Sequence, residues 1–470
     1  MVDVSGRVAL ELPKGSARVA YHTFGCKANQ YDTERIRQEI EARGSQTVGD
    51  AAEADLFVVN TCTVTNRADA DARRFIRRVR RENPHLKLLA VGCSAALRSS
   101  EYREMPGVVA VVKGHEPLEV ADAVRRVRPQ LVQLGAQTTL ERMDREPVGG
   151  DILLHREGAT RGWLKVQDGC DRNCSFCATR LARGSSRSRP LREIVREACA
   201  LSQTHPELVI TGIHIGHYGH DLDPASTLSR LVAHLLEEVP GVRFRLGSIE
   251  ATEVDDLLVQ LLEESDGLLA PHLHMPLQSG ANPILRKMRR WHTRETYRTR
   301  ALEIAAHVPV LGLGADIITG FPGETEADHK DTVALVEELP YTYLHVFPFS
   351  PREGTEAERQ NRVTPVPQRV SGDRGRELRE LAYRKSRTYC RSRDGAWERV
   401  VVEGERGTAL TGDYLRVPAL ELTSNVPPRD RSRVPGVGAS GPTLREGRLR
   451  WSGEDLTIDL TGSREIQLGR

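Results

Sequence analysis

An α/β protein is the fold class this sequence predicts: a parallel α/β domain, then a partial barrel of six β/α units, then a small antiparallel β-barrel. Three observations carry that reading. Apolar, strand-like runs alternate with helical segments from residue 17 to 93. A second alternating series of strand-like runs follows from about residue 156, and beyond residue 390 short hairpin-like strands with frequent turn signals replace both. A chain of 470 residues also exceeds one ordinary core and is expected to split into roughly three domains. The expected division is 17–130, a linker over 131–155, 156–389 and 390–462.

In the first domain "ARVAYHTFGC" predicts a strand. "YDTERIRQEIEARG" predicts a helix with Ile36 and Ile40 on one face, stopping at Gly44. "ADLFVVNTC" suits a buried parallel strand, "ADADARRFIRRVRREN" a second helix and "LKLLAVGC" a third strand. The β-α-β-α-β order implies a parallel sheet with right-handed crossovers. Each strand runs into a cysteine: Cys26, Cys62 and Cys93. Carboxyl ends of parallel strands share one edge, where open α/β sheets bind ligands, so the topology is expected to gather these thiols.

A stretch rich in Gln, Arg and Gly follows. Then come the strand candidates "WLKVQDGC", "ELVITGIHIG", "VRFRLGSIE", "PHLHMPLQSG", "VLGLGADIITGFPGE" and "YLHVFPFSP". Helical segments such as "TLSRLVAHLLEEVPG" and "TRETYRTRALEIAAH" separate them, which predicts an incomplete β/α barrel with its chemistry at the strand carboxyl ends. At the end of the chain, "ERVVVEGERGTALTGDYLRVPALEL" and "GRLRWSGEDLTIDLTG" read as antiparallel strands around the loop "TSNVPPRDRSRVPGVGASGPT".

A net charge of +2 excludes a global cationic field, so any acidic partner must be met by local arginine clusters. No apolar run approaches the ~20 residues that cross a bilayer, and the first residues lack a secretory pattern; a soluble, cytoplasmic protein with no membrane partner is expected. Thiols stay reduced there, so eight cysteines point to metal binding or chemistry rather than disulfides. Cys199 lies in the helical-looking "LREIVREACALSQ" and Cys390 in "YRKSRTYCRSR", and both read as small hydrophobes or incidental thiols.

"GCDRNCSFC" sets Cys170, Cys174 and Cys177 in a Cx3CxxC spacing with no fourth ligand at hand. A structural zinc site closes its tetrahedron. A 4Fe–4S cluster on three thiolates instead leaves one iron free to take a cosubstrate. This motif at the mouth of a partial β/α barrel resembles the radical S-adenosylmethionine (SAM) superfamily. In that superfamily SAM chelates the open iron, and one electron cleaves the sulfonium to a 5′-deoxyadenosyl radical. Phe176 is similar to the aromatic residue found there in the motif. The similarity extends to "TGIHIGHYG" with Gly212, His214 and Gly216, "GSIEA" with Ser248 and Glu250, and "HMPLQSG" with Gln278. It implies that these six residues bind SAM.

The segments "TFGCKANQYDTE", "VVNTCTVTNRADADAR" and "AVGCSAAL" resemble the N-terminal domain of the methylthiotransferases. The resemblance spans about residues 17 to 460. It implies a second 4Fe–4S cluster on Cys26, Cys62 and Cys93 as sulfur donor, and replacement of C–H by C–S–CH3 with a further SAM as methyl donor. "GCKANQYDTE" and "TGIHIGHYG" are most similar to the threonylcarbamoyladenosine tRNA methylthiotransferases. That implies a tRNA substrate modified at C2 of N6-threonylcarbamoyladenosine 3′ of the anticodon, and a C-terminal TRAM-like RNA-binding domain. The electron donor and sulfur source stay unidentified. Two departures stand out: Ser94-Ala95-Ala96 follows Cys93 where the family has "YAQ", and "ATRLARG" follows Cys177 where it has "IIPYARG".

An RNA substrate requires phosphate-binding charge. Basic segments run over 72–81, 179–192, 285–294 and 383–393, and Arg183 to Arg192 is expected to be the best placed because it follows the cluster loop. Trp397, Tyr414 and Trp451 are candidates to stack on bases, with core packing expected for at least one of them. The alternatives are isopentenyladenosine in tRNA or a ribosomal protein as acceptor, or a non-catalytic iron–sulfur RNA-binding or redox-sensing protein. The last of these needs no barrel.

Overall fold

The computed structural model describes residues 17–125, 152–156, 158–403, 407–420, 437–438, 441–442, 444–460 and 465–466. Its first unit is a parallel sheet of β1 (Arg18–Thr23), β2 (Gln46–Thr47), β3 (Leu56–Thr61), β4 (Lys87–Gly92) and β5 (Val108–Val111), in the order β2-β1-β3-β4-β5. Alternate residues face opposite sides, so the continuous apolar runs fill two cores. Val19, Leu56, Val58, Leu89 and Val91 pack with Ile36 and Ile40 of α1 (Lys27–Ala42). Ala20, Phe57, Val59, Leu88 and Ala90 pack with Ile76 and Val79 of α2 (Asn66–Glu82). The strands expected here are all present; β2 and β5 extend the sheet on either edge. The first helix begins at Lys27, earlier than its periodicity suggests, because the chain turns into it directly after Cys26.

The middle of the chain contains β6 (Gly162–Lys165), the short antiparallel pair β7 (Gln167–Asp168) and β8 (Arg187–Ser188), and then β9 (Glu207–Thr211), β10 (Arg243–Leu246), β11 (His272–His274), β12 (Gly312–Thr319) and β13 (Tyr343–Pro348). Parallel pairing gives β6-β9-β10 and β11-β12-β13, joined by bridges Phe244–Leu269 and Ser248–His274. This is the open six-unit barrel the sequence predicts. The first unit closes its open side. Tyr31 of α1 donates to Glu197 (3.0 Å), and Lys165 of β6 donates to Asp32 (2.7 Å). At the other edge Asn66 reaches Ser350 and Pro351 just beyond β13.

The last unit contains β14 (Trp397–Glu403), β15 (Thr408–Leu410), β16 (Arg416–Pro418), β17 (Val437–Gly438), β18 (Gly441–Pro442), β19 (Leu444–Trp451) and β20 (Leu456–Asp459). Antiparallel pairing in the order β16-β15-β14-β19-β20, with an Ala419–Ile458 bridge, curls them into a nearly closed barrel. Its turn at Thr411–Leu415 plugs the bottom of the large barrel. Glu207, fully buried, holds Arg243 (2.7 Å) and Arg245 (2.8 Å), which donate to the carbonyls of Leu410, Thr411 and Gly412. Most of the expected linker and of the loop over 423–443 lies outside the described residues.

Candidate active site between two cysteine triads

The three N-terminal thiols converge as the sheet edge requires. Gly25 has φ +107°, and a Cβ there would lie 2.5 Å from Cys62 Sγ, so only glycine lets the Cys26 turn close over Cys62. Gly92, at φ +91°, likewise lies against Asn60 and the Thr61 backbone, and it aims Cys93 into the same place. Cys26 and Cys93 both face Asn29 Oδ1 (3.9 and 3.8 Å), and the Val64 amide donates to Cys62 Sγ (3.3 Å). Burial pushes the Cys62 thiol up to about 12, opposed by the Val64 amide and reinforced by Cys93 and Cys26.

The second triad is pinned to the barrel mouth. Cys170 N donates to Gly184 O (3.1 Å), and Cys177 N to Cys174 O (3.2 Å). Ser175 N donates to Met288 O (3.0 Å). Phe176 packs on a small core that includes Ile284, Met288 and Phe321. Burial pushes Cys170 up to about 12, with Cys177 and Cys174 adding to it. His214 Nδ1 lies 3.6 Å from Cys170 Sγ, and Arg290 Nη1 is 3.7 Å from Cys174 Sγ.

A buried charge network ties one triad to the other. Arg183 lies in the turn of helix that follows Cys177, yet its Nε donates to Cys93 Sγ (3.1 Å). Its other nitrogens donate to Asn29 (2.7 Å), Asp32 (2.7 Å) and Asp168 (2.9 Å). Burial alone would raise the Asp168 carboxyl; Arg183, Lys165 and His115 outweigh it and hold the group well below the carboxylate range. Two cavities open between the triads. One of about 350 Å³ is lined by Thr65, Asp69, Leu181 and Arg352. The other, about 150 Å³, is lined by Val64, Phe176, Gln278, Asp316, Ile318 and Arg352.

Residues 18–114 match the Uncharacterized protein family UPF0004, and residues 164–336 match the Radical SAM superfamily. The chain is 36% identical over 377 residues to "Threonylcarbamoyladenosine tRNA methylthiotransferase MtaB" of Bacillus subtilis (strain 168), covering 80% of this chain and 82% of that protein. The chain belongs to the MtaB family of radical SAM methylthiotransferases. It is also 30% identical over 426 residues to "tRNA-2-methylthio-N(6)-dimethylallyladenosine synthase" of Oceanobacillus iheyensis, covering 86% of this chain and 79% of that protein. The fold resembles that of the radical SAM methyltransferase TsrM from Kitasatospora setae, at a TM-score of 0.50 and 15% identity over 70% of this chain and 73% of that one.

MtaB-family enzymes work with SAM and two iron–sulfur clusters, and both donor sets fit such a group. Each offers three thiols, close enough that the neighbours push up Cys62 in one set and Cys170 in the other, on loops that glycine or backbone hydrogen bonds hold in place. Of the SAM-contact candidates, His214 and Glu250 stand closest to the radical triad, Glu250 through its ion pair with Arg290. Ser248 is exposed at the mouth. Gln278, at φ +68°, lines the smaller cavity. Gly212 and Gly216 are tight backbone contacts: a Cβ would meet Gln167 O at 2.8 Å and Glu253 Oε2 at 2.0 Å.

The RNA-contact expectation for the run Arg183 to Arg192 is corrected at two positions: Arg183 and Arg189 are fully buried in ion pairs with Asp168, Asp32 and Glu197, whereas Arg192 is exposed. Tyr414 stacks on His272 (4.3 Å) inside the plug, so it serves packing. Trp397 is 64% exposed and remains open to a base. Cys199 is exposed on its helix, and Cys390 packs beside the C-terminal core; neither joins a triad. The sequence reading missed Asn29, Asp316, Arg290 and Arg352. For Arg352 a signal existed: "SPREGT" follows the sixth barrel strand, where barrel chemistry collects.

Proposed function

We propose that the protein replaces the C2 hydrogen of N6-threonylcarbamoyladenosine, 3′ of the anticodon in tRNA, with a methylthio group. The observation that carries this reading is the pair of cysteine triads on opposite walls of one cleft, with Val64 and Phe176, neighbours of the two triads, lining the same 150 Å³ cavity. A target base in that cleft is within reach of both. When bound, the clusters and SAM supply hydrogen abstraction, sulfur and methyl transfer.

The chain's own residues hold and orient. Cys170, Cys174 and Cys177 would hold the radical-generating cluster, and Cys26, Cys62 and Cys93 the sulfur-donor cluster. Arg183 and Asn29 fix the second set against the first. His214, Glu250, Ser248 and Gln278 are the SAM-facing side chains of this proposal, with Gly212 and Gly216 shaping the loop beneath. Phe176 and Phe349 give the cavity apolar walls that exclude water from the reacting base. Gln278 and Asp316 supply hydrogen-bonding groups there. The division into 17–130, 156–389 and 390–462, with the last as a TRAM-like RNA-binding unit, belongs to the same reading, as does a cytoplasmic site of action. No helix among the described residues is long and apolar enough to cross a membrane.

Nucleoside mass spectrometry of tRNA from a deletion strain tests the assignment. Methylthio-threonylcarbamoyladenosine should vanish and return on complementation. Its persistence rules the assignment out, and loss of methylthio-isopentenyladenosine instead transfers it to the other tRNA group, which the 30% identical relative represents.

A further inference from the structure

The barrel's buried arginines are matched by carboxylates. Arg183 pairs with Asp32 and Asp168, and Arg189 with Glu197. Arg243 and Arg245 pair with Glu207, Arg290 with Glu250, and Arg374 with Glu324. Arg352 is half-buried and stands apart from these pairs. It sits just beyond β13 and lines both cavities between the triads. Its Nη1 donates to the Phe176 carbonyl (3.2 Å). Its Nε is buried with no partner, and among the described residues no carboxylate pairs with it. The acid beside it, Glu353, faces Arg98 instead (3.7 Å).

A partly desolvated guanidinium without a counter-charge is costly, and a bound anion would offset that cost. Burial draws Arg352 below the ordinary arginine value, while the nearby Cys177 and Cys62 pull the other way, which places it between the two triads. Nη1 is committed to the Phe176 carbonyl and Nε is buried, which leaves Nη2 as the nitrogen free to meet a ligand. A charge-assisted N–H bond from a guanidinium suits a carboxylate or phosphate. Thr65, also common to both cavities, and Ser350 add hydroxyls nearby.

We propose that Arg352 is the specificity-determining anchor for an anionic group of the nucleotide substrate, held by a charge-assisted bond from its guanidinium. Two groups on such a nucleotide have that chemistry: the carboxylate of the threonylcarbamoyl arm and a backbone phosphate. The inference rests on the tRNA reading above.

The test measures binding of fluorescent anticodon stem-loop RNAs to the reconstituted full-length protein, by anisotropy, for wild type, Arg352→Gln and Arg352→Lys. The RNAs carry threonylcarbamoyladenosine, its carboxamide analogue, or plain adenosine. Losing a charge-assisted hydrogen bond should weaken binding of the first RNA by about ten- to a hundredfold in Arg352→Gln, with a smaller loss in Arg352→Lys, which keeps the charge. Iron should stay near about eight per chain in both variants. If wild type binds the carboxamide RNA as weakly as Arg352→Gln binds the acid, the anion is the carboxylate. If Arg352→Gln weakens all the RNAs alike, it is a phosphate. Wild-type affinity in both variants overturns the proposal, and so does loss of iron in proportion to lost binding. Failure of the tRNA reading itself looks different, because the wild-type protein would then form no methylthio product on the first RNA.

Discussion

Arg183→Met removes the cation at the centre of the network between the triads while keeping much of its volume. Arg183 is 1% exposed and donates to Cys93, Asn29, Asp32 and Asp168. Without it, Asp168 keeps Lys165 (2.6 Å) and His115 (2.7 Å), whereas Asp32 keeps only Lys165 (2.7 Å) among these partners. Two buried carboxylates then share one full positive charge and a histidine. Breaking a buried pair by removing one partner costs about 3–5 kcal/mol; the remaining cations place this case near about 3 kcal/mol. Native-state hydrogen exchange on the reconstituted protein reads it directly. Amides of α1 and of Thr179–Arg183 should open more readily by about that energy, a factor of roughly 150, while β14 and β19 stay unchanged. Adding Asp32→Asn should recover part of the loss, because the orphaned charge is gone. Exchange in α1 within about 0.5 kcal/mol of wild type would refute the claim that this arginine holds the two units together.

Three further outcomes follow from the same geometry. Gly92→Ala forces a Cβ to within 2.1 Å of Asn60 Oδ1 at φ +91°, so iron per chain should fall from about eight to about four, measured by colorimetric assay after anaerobic reconstitution. Glu207 is held well below the usual carboxylate range because Arg245, Arg243 and Arg161 outweigh its burial. A depressed folded pKa gives stability that is present above the unfolded value of about 4.3 and lost as pH falls below it, so Glu207→Gln should flatten the acid limb of a thermal-unfolding profile. Trp397→Ala should weaken tRNA binding by roughly tenfold or more in a filter-binding assay, as for one lost base stack, whereas Tyr414→Ala should lower stability instead.

The cysteines and the barrel were legible because their signals are local. A strand ending in Gly-Cys can be read from ten residues, and all six barrel strands fall within the predicted runs. The buried arginines were not legible. "TRLARGSSRSR" looks like a solvated basic face, and only the arrival of Asp32 from another domain makes Arg183 a core residue. Tyr414 fails in the same way: its partner His272 is more than a hundred residues away, and no periodicity in the plug announces it. The helix after Cys26 was misplaced for a different reason. Its N-cap is the cysteine itself, which makes no side-chain cap hydrogen bond, so the usual start signal is missing.

That missing cap is informative about how the fold makes its site. Cys26, Cys93 and Cys170 each follow a glycine at positive φ: Gly25 at +107°, Gly92 at +91° and Gly169 at +69°. A side chain at such a position would be strained, and at Gly169 a Cβ would also strike Ser185 O at 1.8 Å. In each case the backbone leaves its strand abruptly, and the thiol points off the sheet edge instead of continuing the pleat. Cys62 needs no such turn, since β3 runs straight to it and the Val64 amide comes back onto its sulfur. Cys26 also opens α1, where the amides at the helix N-terminus favour negative charge. Two unrelated sheets thus use the same device, a glycine at positive φ before the cysteine, and in the proposed function it presents thiols to a cluster at an edge where the strands end. Since α1, β6 and the loop after β13 bring those edges face to face, the position of the cleft follows from the topology. The choice of substrate is left to the few side chains, Arg352 among them, that line it.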